Sequence, residues 1–142
     1  MGLNGGIGGR WDKIRVKDGS IYCLNFAESK FDGVVRWDGQ QWHSFGPGIF
    51  GFASQVYDFT FYKSELYITG SFTKSQDSRN PGNCIASWNG SNWMTVGGGS
   101  SSAALSLFEH DSLLYCHGMG NQFGDATIPY LAAWNGHQWC GT

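Results

Sequence analysis

Trp88-Asn89-Gly90-Ser91-Asn92-Trp93 is one of three copies of a single pattern, Trp-Asp/Asn-Gly-x-x-Trp. The others are Trp37-Asp38-Gly39-Gln40-Gln41-Trp42 and Trp134-Asn135-Gly136-His137-Gln138-Trp139. A pattern that returns every roughly 40 to 50 residues marks stacked supersecondary units, so Trp37, Gly39, Trp88, Gly90, Trp134 and Gly136 are read first as structural repeat positions. Asp-Gly or Asn-Gly between apolar residues is a strong short-range hairpin signal, because a twisted hairpin needs positive φ at its turn. The two tryptophans of each copy should face each other across that turn and hold its register by ring packing.

Upstream, the units align without gaps. Ile21-Tyr22, Leu66-Tyr67 and Leu114-Tyr115 coincide, as do Trp11, Val56 and Ala104, and Ile14, Phe59 and Leu107. Between them stand Lys17-Asp18-Gly19-Ser20, Tyr62-Lys63-Ser64-Glu65 and His110-Asp111-Ser112-Leu113, which read as tight turns joining two strands. A loop of variable length follows, around Ala27 to Asp32 in the first unit and from Thr73 to Asn83 in the second, where Ser, Asp, Asn, Pro and Gly dominate. A third strand such as Cys84-Ile85-Ala86-Ser87-Trp88 leads into the turn, and a fourth begins at the second Trp.

Four short antiparallel strands per unit make a β-propeller blade. The chain resembles kelch-like repeats, most closely those reading Leu-Tyr-x-x-Gly-x-Phe, then Ala-x-Trp-Asn-Gly-x-x-Trp, then a hydrophobic residue and Gly-x-Gly, as in bacterial extracellular and fungal cortical-marker proteins. The second unit carries Leu66-Tyr67, Gly70, Phe72, Ile85-Ala86, Trp88-Asn89-Gly90, Trp93 and Val96-Gly97-Gly98-Gly99. The first has Asn25-Phe26 where a glycine is expected, and the third has Met119-Gly120 where Phe is expected. A WD-repeat reading of Trp37-Asp38 fits less well, since that pattern lacks the second Trp. The resemblance implies an all-β chain, one repeat domain over residues 1–142 with blades near 3–45, 46–96 and 97–142, and an extracellular or cell-surface setting.

Composition agrees with short strands and tight turns: 22 glycines, only three prolines, 41% hydrophobic and 14% charged residues. A formal charge of -2 does not support a broad nucleic-acid surface, and Lys13, Arg15 and Lys17 read as a solvated strand face. No apolar run has the length of a membrane span, and Met1 to Gly6 lacks the features of a signal peptide.

Blades bury their faces against neighbours, and propellers close with about four to eight of them. Three blades should therefore belong to a longer array or complete a ring by self-association, most simply as a homodimer of six, with head-to-tail stacking as the open version. Leu3-Asn4-Gly5-Gly6 stands at the register of Val96-Gly97-Gly98-Gly99, so the two chain ends are expected to meet between copies.

Chemistry is sparse. His43, His110, His117 and His137 fall at different repeat positions without metal-ligand spacing, and the cysteines Cys23, Cys84, Cys116 and Cys140 form no C-x-x-C pair, so neither metal nor cofactor is expected. Cys23 and Cys116 should be free thiols, and His117 a partly buried residue on a strand. Asp58 and Asp12 are neighbouring inner-strand carboxylates, the nearest thing to an acid pair. Gly97-Gly98-Gly99 and Gly5-Gly6-Ile7-Gly8-Gly9 open no helix and read as connectors rather than phosphate loops. The expectation is a non-enzymatic, self-assembling module for structural or interaction roles. The alternative is a lectin, with Trp42, Trp93 and Trp139 as sugar-stacking platforms and a glycan as partner. Asn89-Gly90-Ser91 is a glycosylation candidate at Asn89.

Overall fold

The structure is a computed structural model, and it describes residues 9–26, 33–46, 55–73 and 82–142. The loops expected around Ala27 to Asp32 and through most of Thr73 to Asn83 lie outside these residues, as does the segment from Met1 to Gly8. Among the described residues fourteen strands run in chain order: β1 (Arg10–Lys17), β2 (Ser20–Phe26), β3 (Gly33–Trp37), β4 (Trp42–Ser44), β5 (Val56–Tyr62), β6 (Glu65–Gly70), β7 (Ile85–Trp88), β8 (Trp93–Thr95), β9 (Ala104–His110), β10 (Leu113–Gly118), β11 (Gln122–Phe123), β12 (Ala126–Thr127), β13 (Leu131–Trp134) and β14 (Trp139–Gly141). They form three four-stranded antiparallel sheets, β1-β2-β3-β4, β5-β6-β7-β8 and β9-β10-β13-β14, and the small hairpin β11-β12. The chain is all-β, each large sheet is a meander, and the sheets coincide with the three sequence units. The hairpin β11-β12, in the third unit's loop, has no counterpart among the described residues of the other two units.

The first two strands of every sheet are joined by two residues at positive φ: Asp18 and Gly19, Lys63 and Ser64, Asp111 and Ser112. That is the turn whose twist matches the strands it connects. The turn between the tryptophans is built differently from the expectation. Four residues separate Trp37 from its partner Trp42, and the same holds for Trp88 with Trp93 and Trp134 with Trp139. Only the glycines take positive φ, 101° at Gly39 and Gly90 and 102° at Gly136. The Asp or Asn before them serves through its side-chain oxygen. Asp38 Oδ1 accepts from the N–H of Gln40 and Gln41, Asn89 Oδ1 from Ser91 and Asn92, and Asn135 Oδ1 from His137 and Gln138, all at 2.8–3.0 Å. A short side chain with an acceptor oxygen three bonds from Cα is what this turn demands.

Each first strand slips by one residue against its neighbour at the same place: between Trp11 and Ile14, between Val56 and Asp58, and between Ala104 and Ser106. Such a bulge bends the strand and re-aims the side chain beside it. The sheets meet face to face through these strands, β5 lying against β2 and β3, and β9 against β5 and β6. Two apolar cores result. One joins the first two sheets around Leu24, Val34, Val56, Phe59, Leu66 and Ile68, and the other joins the last two around Tyr62, Tyr67, Cys84, Val96, Leu107 and Leu114. Among the described residues no helix is long and apolar enough to cross a membrane.

Candidate functional site

The three tryptophan pairs are equivalent within a sheet. Ring centroids are 5.3 Å apart for Trp37 and Trp42, 5.1 Å for Trp88 and Trp93, and 5.3 Å for Trp134 and Trp139. Between sheets they differ. The Trp93 indole Nε1–H donates to the Phe45 carbonyl at 3.0 Å, and the Trp139 indole donates to the Val96 carbonyl at 3.0 Å. Phe45 and Val96 occupy one repeat position, three residues after the second tryptophan of the preceding unit. Each unit thus lays the tail of its fourth strand across the tryptophan pair of the next. The glycine that follows in each tail, Gly46 or Gly97, leaves room for those rings: a Cβ on Gly97 would stand 2.4 Å from Trp134 Cζ3, and one on Gly46 3.2 Å from Trp88 Cζ3. Phe45 also packs edge-on against Trp88, with centroids 5.6 Å apart.

Trp42 completes the series differently. Its Nε1 is buried and has no hydrogen-bond partner among the described residues. Among the described residues no tail covers its ring, and Trp11 leans on it at 5.0 Å and a 41° tilt. A buried, unpaired N–H of this kind costs about 1–3 kcal/mol.

The same asymmetry runs over the front of the first sheet. At one repeat position Phe59 is 0% and Leu107 3% exposed, yet Ile14 is 65% exposed. Leu66 and Leu114 are buried where Ile21 is open, and Val56 and Ala104 are buried where Trp11 is open. Val16 adds to this apolar surface. At the far end the third unit exposes Phe108, Met119 and Tyr130, with Phe108 stacked on Tyr115 at 5.0 Å and 6°.

Asp58 ties the units together. Its carboxylate is buried, with Oδ1 accepting from the Phe59 N–H at 2.9 Å and Oδ2 from the Leu107 N–H at 2.8 Å, across to β9. Lys13 Nζ lies 3.0 Å and Arg15 3.7 Å from Oδ1, and Arg15 Nε donates to the Phe59 carbonyl at 3.1 Å. Lys13 and Arg15, expected as a solvated face, therefore serve the contact between sheets. Nothing in a β-strand alternation signals that a partner carboxylate lies 45 residues away. Asp12 is exposed and pairs with Arg10 at 3.9 Å, whereas the Asp58 carboxylate is buried.

His117 is exposed rather than partly buried, because it lies on the open side of the third sheet. His43 binds Asp38 across its own turn at 2.6 Å, and this bond, with the N–H groups of Gln41 and Gln40, holds the Asp38 carboxyl well below the usual carboxylate range. All four cysteines are free thiols. Burial pushes Cys116 up to about 12, and raises Cys84 and Cys23 as well. Tyr67, in the second core, is raised to about 12 by burial and by the nearby Glu65. Among the described residues no group of three or more His, Cys, Asp or Glu side chains could hold a metal ion.

Of the sugar-platform candidates, Trp42 and Trp93 are half-buried and Trp139 is buried. Trp139 also packs on Phe123 at 5.1 Å, beside a groove of about 530 Å³ lined by Asp125, Ala126, His137 and Gln138. Asn89 is exposed at its turn, with its Oδ1 engaged by the turn's own amides. Compared with protein-family models, with curated proteins and with solved structures, the chain matches none.

Proposed function

We propose that the chain is a non-enzymatic assembly module: three kelch-like propeller blades whose open faces are covered by another copy, serving a structural or interaction role at a surface. The observation that carries this reading is the stepped burial of one repeat position, from Phe59 and Leu107 inside to Ile14 outside. Apolar area left in water at the end of a stack is stabilised by about 25 cal/mol per Å² when a neighbour covers it. Two copies would place six blades in a ring, and a contact that fails to close would extend as a filament. Light scattering coupled to gel filtration tests the reading. The mass should exceed 15.6 kDa at micromolar concentration, and Ile14→Asp should return it to that of one chain. A wild-type mass of one chain throughout would sink the proposal.

A carbohydrate-binding role is the second reading, favoured by the groove where Asp125, His137 and Gln138 stand beside Trp139. Tryptophan-fluorescence titration with simple sugars tests it, and a flat response that persists in the assembled protein counts against it.

A further inference from the structure

We infer that Trp42 is the seat for a specific main-chain segment, the tail of the fourth strand of a second copy's third sheet, and that its indole N–H binds the main-chain oxygen of that copy's Thr142. The inference rests on the assembly reading above and gives it a register.

The contact is already made twice inside the chain. Trp93 takes the Phe45 carbonyl and Trp139 takes the Val96 carbonyl, both at 3.0 Å, and both acceptors stand three residues after the tryptophan that opens the donor strand. Counting three residues on from Trp139 reaches Thr142, which is exposed. Leu3, at the register of Val96 by sequence, lies outside the described residues and is the same-chain competitor that concentration-independent protection would reveal. Trp42 is the third member of the donor series, and its Nε1 is buried without an acceptor among the described residues. The surroundings repeat as well. Around the satisfied tryptophans the front-face positions Val56, Leu66 and Phe59, or Ala104, Leu114 and Leu107, are buried, whereas around Trp42 the matching Trp11, Ile21 and Ile14 are all open. Among the described residues nothing pairs with this donor or covers this apolar face, and a unit of this chain's own kind arriving from the front would do both. The side that would supply it, the third unit, has Phe108, Tyr130 and Met119 in water.

Docking there would replace Trp11 over the Trp42 ring, or press it flat against the incoming strand. An indole that finds its carbonyl gains a hydrogen bond of about 0.5–1.5 kcal/mol beyond the apolar contact. At 1.4 kcal/mol per factor of ten, that is about a 2- to 12-fold gain in affinity.

The test is hydrogen exchange at the indole N–H groups of the seven tryptophans, followed by nitrogen–proton NMR over a range of protein concentration, with Trp42→Phe assigning its signal. Exchange at Trp42 should slow at least tenfold as the measured mass rises, while Trp93 and Trp139 stay protected at every concentration. Trp42→Phe, which keeps a ring and loses the donor, should weaken association several-fold. Association without slowing at Trp42, or an unaltered affinity in Trp42→Phe, overturns the seat and leaves the assembly reading standing. Protection at Trp42 that does not depend on concentration also overturns it, because the acceptor then comes from the chain's own residues. A mass of one chain at every concentration overturns both.

Discussion

The first and second sheets carry the same strands in the same order, the same bulge and the same tryptophan turn, and they differ in what lies against their front faces. In the second sheet Phe59, Leu66 and Val56 are buried against the first sheet, and Trp93 has its carbonyl. In the first sheet Ile14, Ile21 and Trp11 face water, and Trp42 has no acceptor among the described residues. The secondary structure of a unit is thus set within the unit, by turn chemistry and pairing, while its burial is set by the neighbour. This is the one-dimensional logic of stacked repeats, in which stability is a sum of unit terms and interface terms.

Truncating the same position in both sheets should give very unequal losses. Phe59→Ala should lower stability by about 3–5 kcal/mol, since a fully buried ring leaves a cavity between two sheets. Ile14→Ala should change the unfolding of dilute protein by less than about 0.5 kcal/mol, as exposed substitutions do. Urea denaturation of both variants gives the answer. Comparable losses would mean that the front of the first sheet is covered in solution even when the protein is dilute.

The next largest effect is expected at the contact that joins all three sheets. Asp58→Asn keeps the shape but leaves Lys13 and Arg15 facing a neutral group and weakens the bond to the Leu107 N–H. A loss of roughly 2–3 kcal/mol follows from hydrogen bonds that involve a charge. The matching residue in the first sheet is Lys13 and in the third Ser106, so the carboxylate is not a feature of the repeat. It belongs to the middle unit alone, which has neighbours on both sides. If Asp58→Asn unfolds in urea like the wild type, the three-sheet contact contributes little.

Those two positions also show what was legible beforehand. Phe59 was aligned with Ile14 and Leu107 from the pattern alone, because apolar periodicity and turn residues are local and leave a mark every unit. The four-stranded sheets, their order and the facing tryptophans could be read in the same way. Asp58 could not be read. Its partners come from other sheets, and a lone carboxylate on an inner strand looks the same whether it lines a water-filled space or anchors two cations. The role of Asp38, Asn89 and Asn135 was half legible: their place in the turn was clear, but the reason was sought in φ when it lies in a side-chain oxygen. Gly97-Gly98-Gly99 reads from the sequence as a connector, and the signal of a further role is an apolar residue followed by glycine three and four residues after the second tryptophan. Tight approach of a ring explains that glycine.

A smaller effect should come from the turns. Asn135→Ala removes the acceptor for the N–H groups of His137 and Gln138 and should cost about 1–2 kcal/mol, whereas Asn135→Asp keeps the acceptor and should be close to neutral. Thermal unfolding of the pair separates the two accounts of the residue. If Asn135→Gly were tolerated better than Asn135→Asp, conformational freedom and not the side-chain oxygen would be the requirement.

The smallest effect distinguishes the first turn from the other two. Asp38 alone carries a charge at this position, and it binds His43 at 2.6 Å, where the second and third units have Met94 and Cys140. Its carboxyl is held below its ordinary value by that bond and by the N–H groups of Gln41 and Gln40. A carboxyl depressed in the folded state stabilises that state above its unfolded value, near 3.9, and the contribution fades as pH falls below that toward the folded value. Asp38→Asn keeps the two turn bonds, because Asn89 and Asn135 make them, and loses only the charged contact. Its melting temperature should therefore lie slightly below that of the wild type at neutral pH, by about a degree for so exposed a group, and the gap should narrow as the pH is lowered past 4. A gap that widens on acidification would mean that the ionised carboxylate opposes folding, and the first turn would then differ from its two counterparts by strain and not by an added bond.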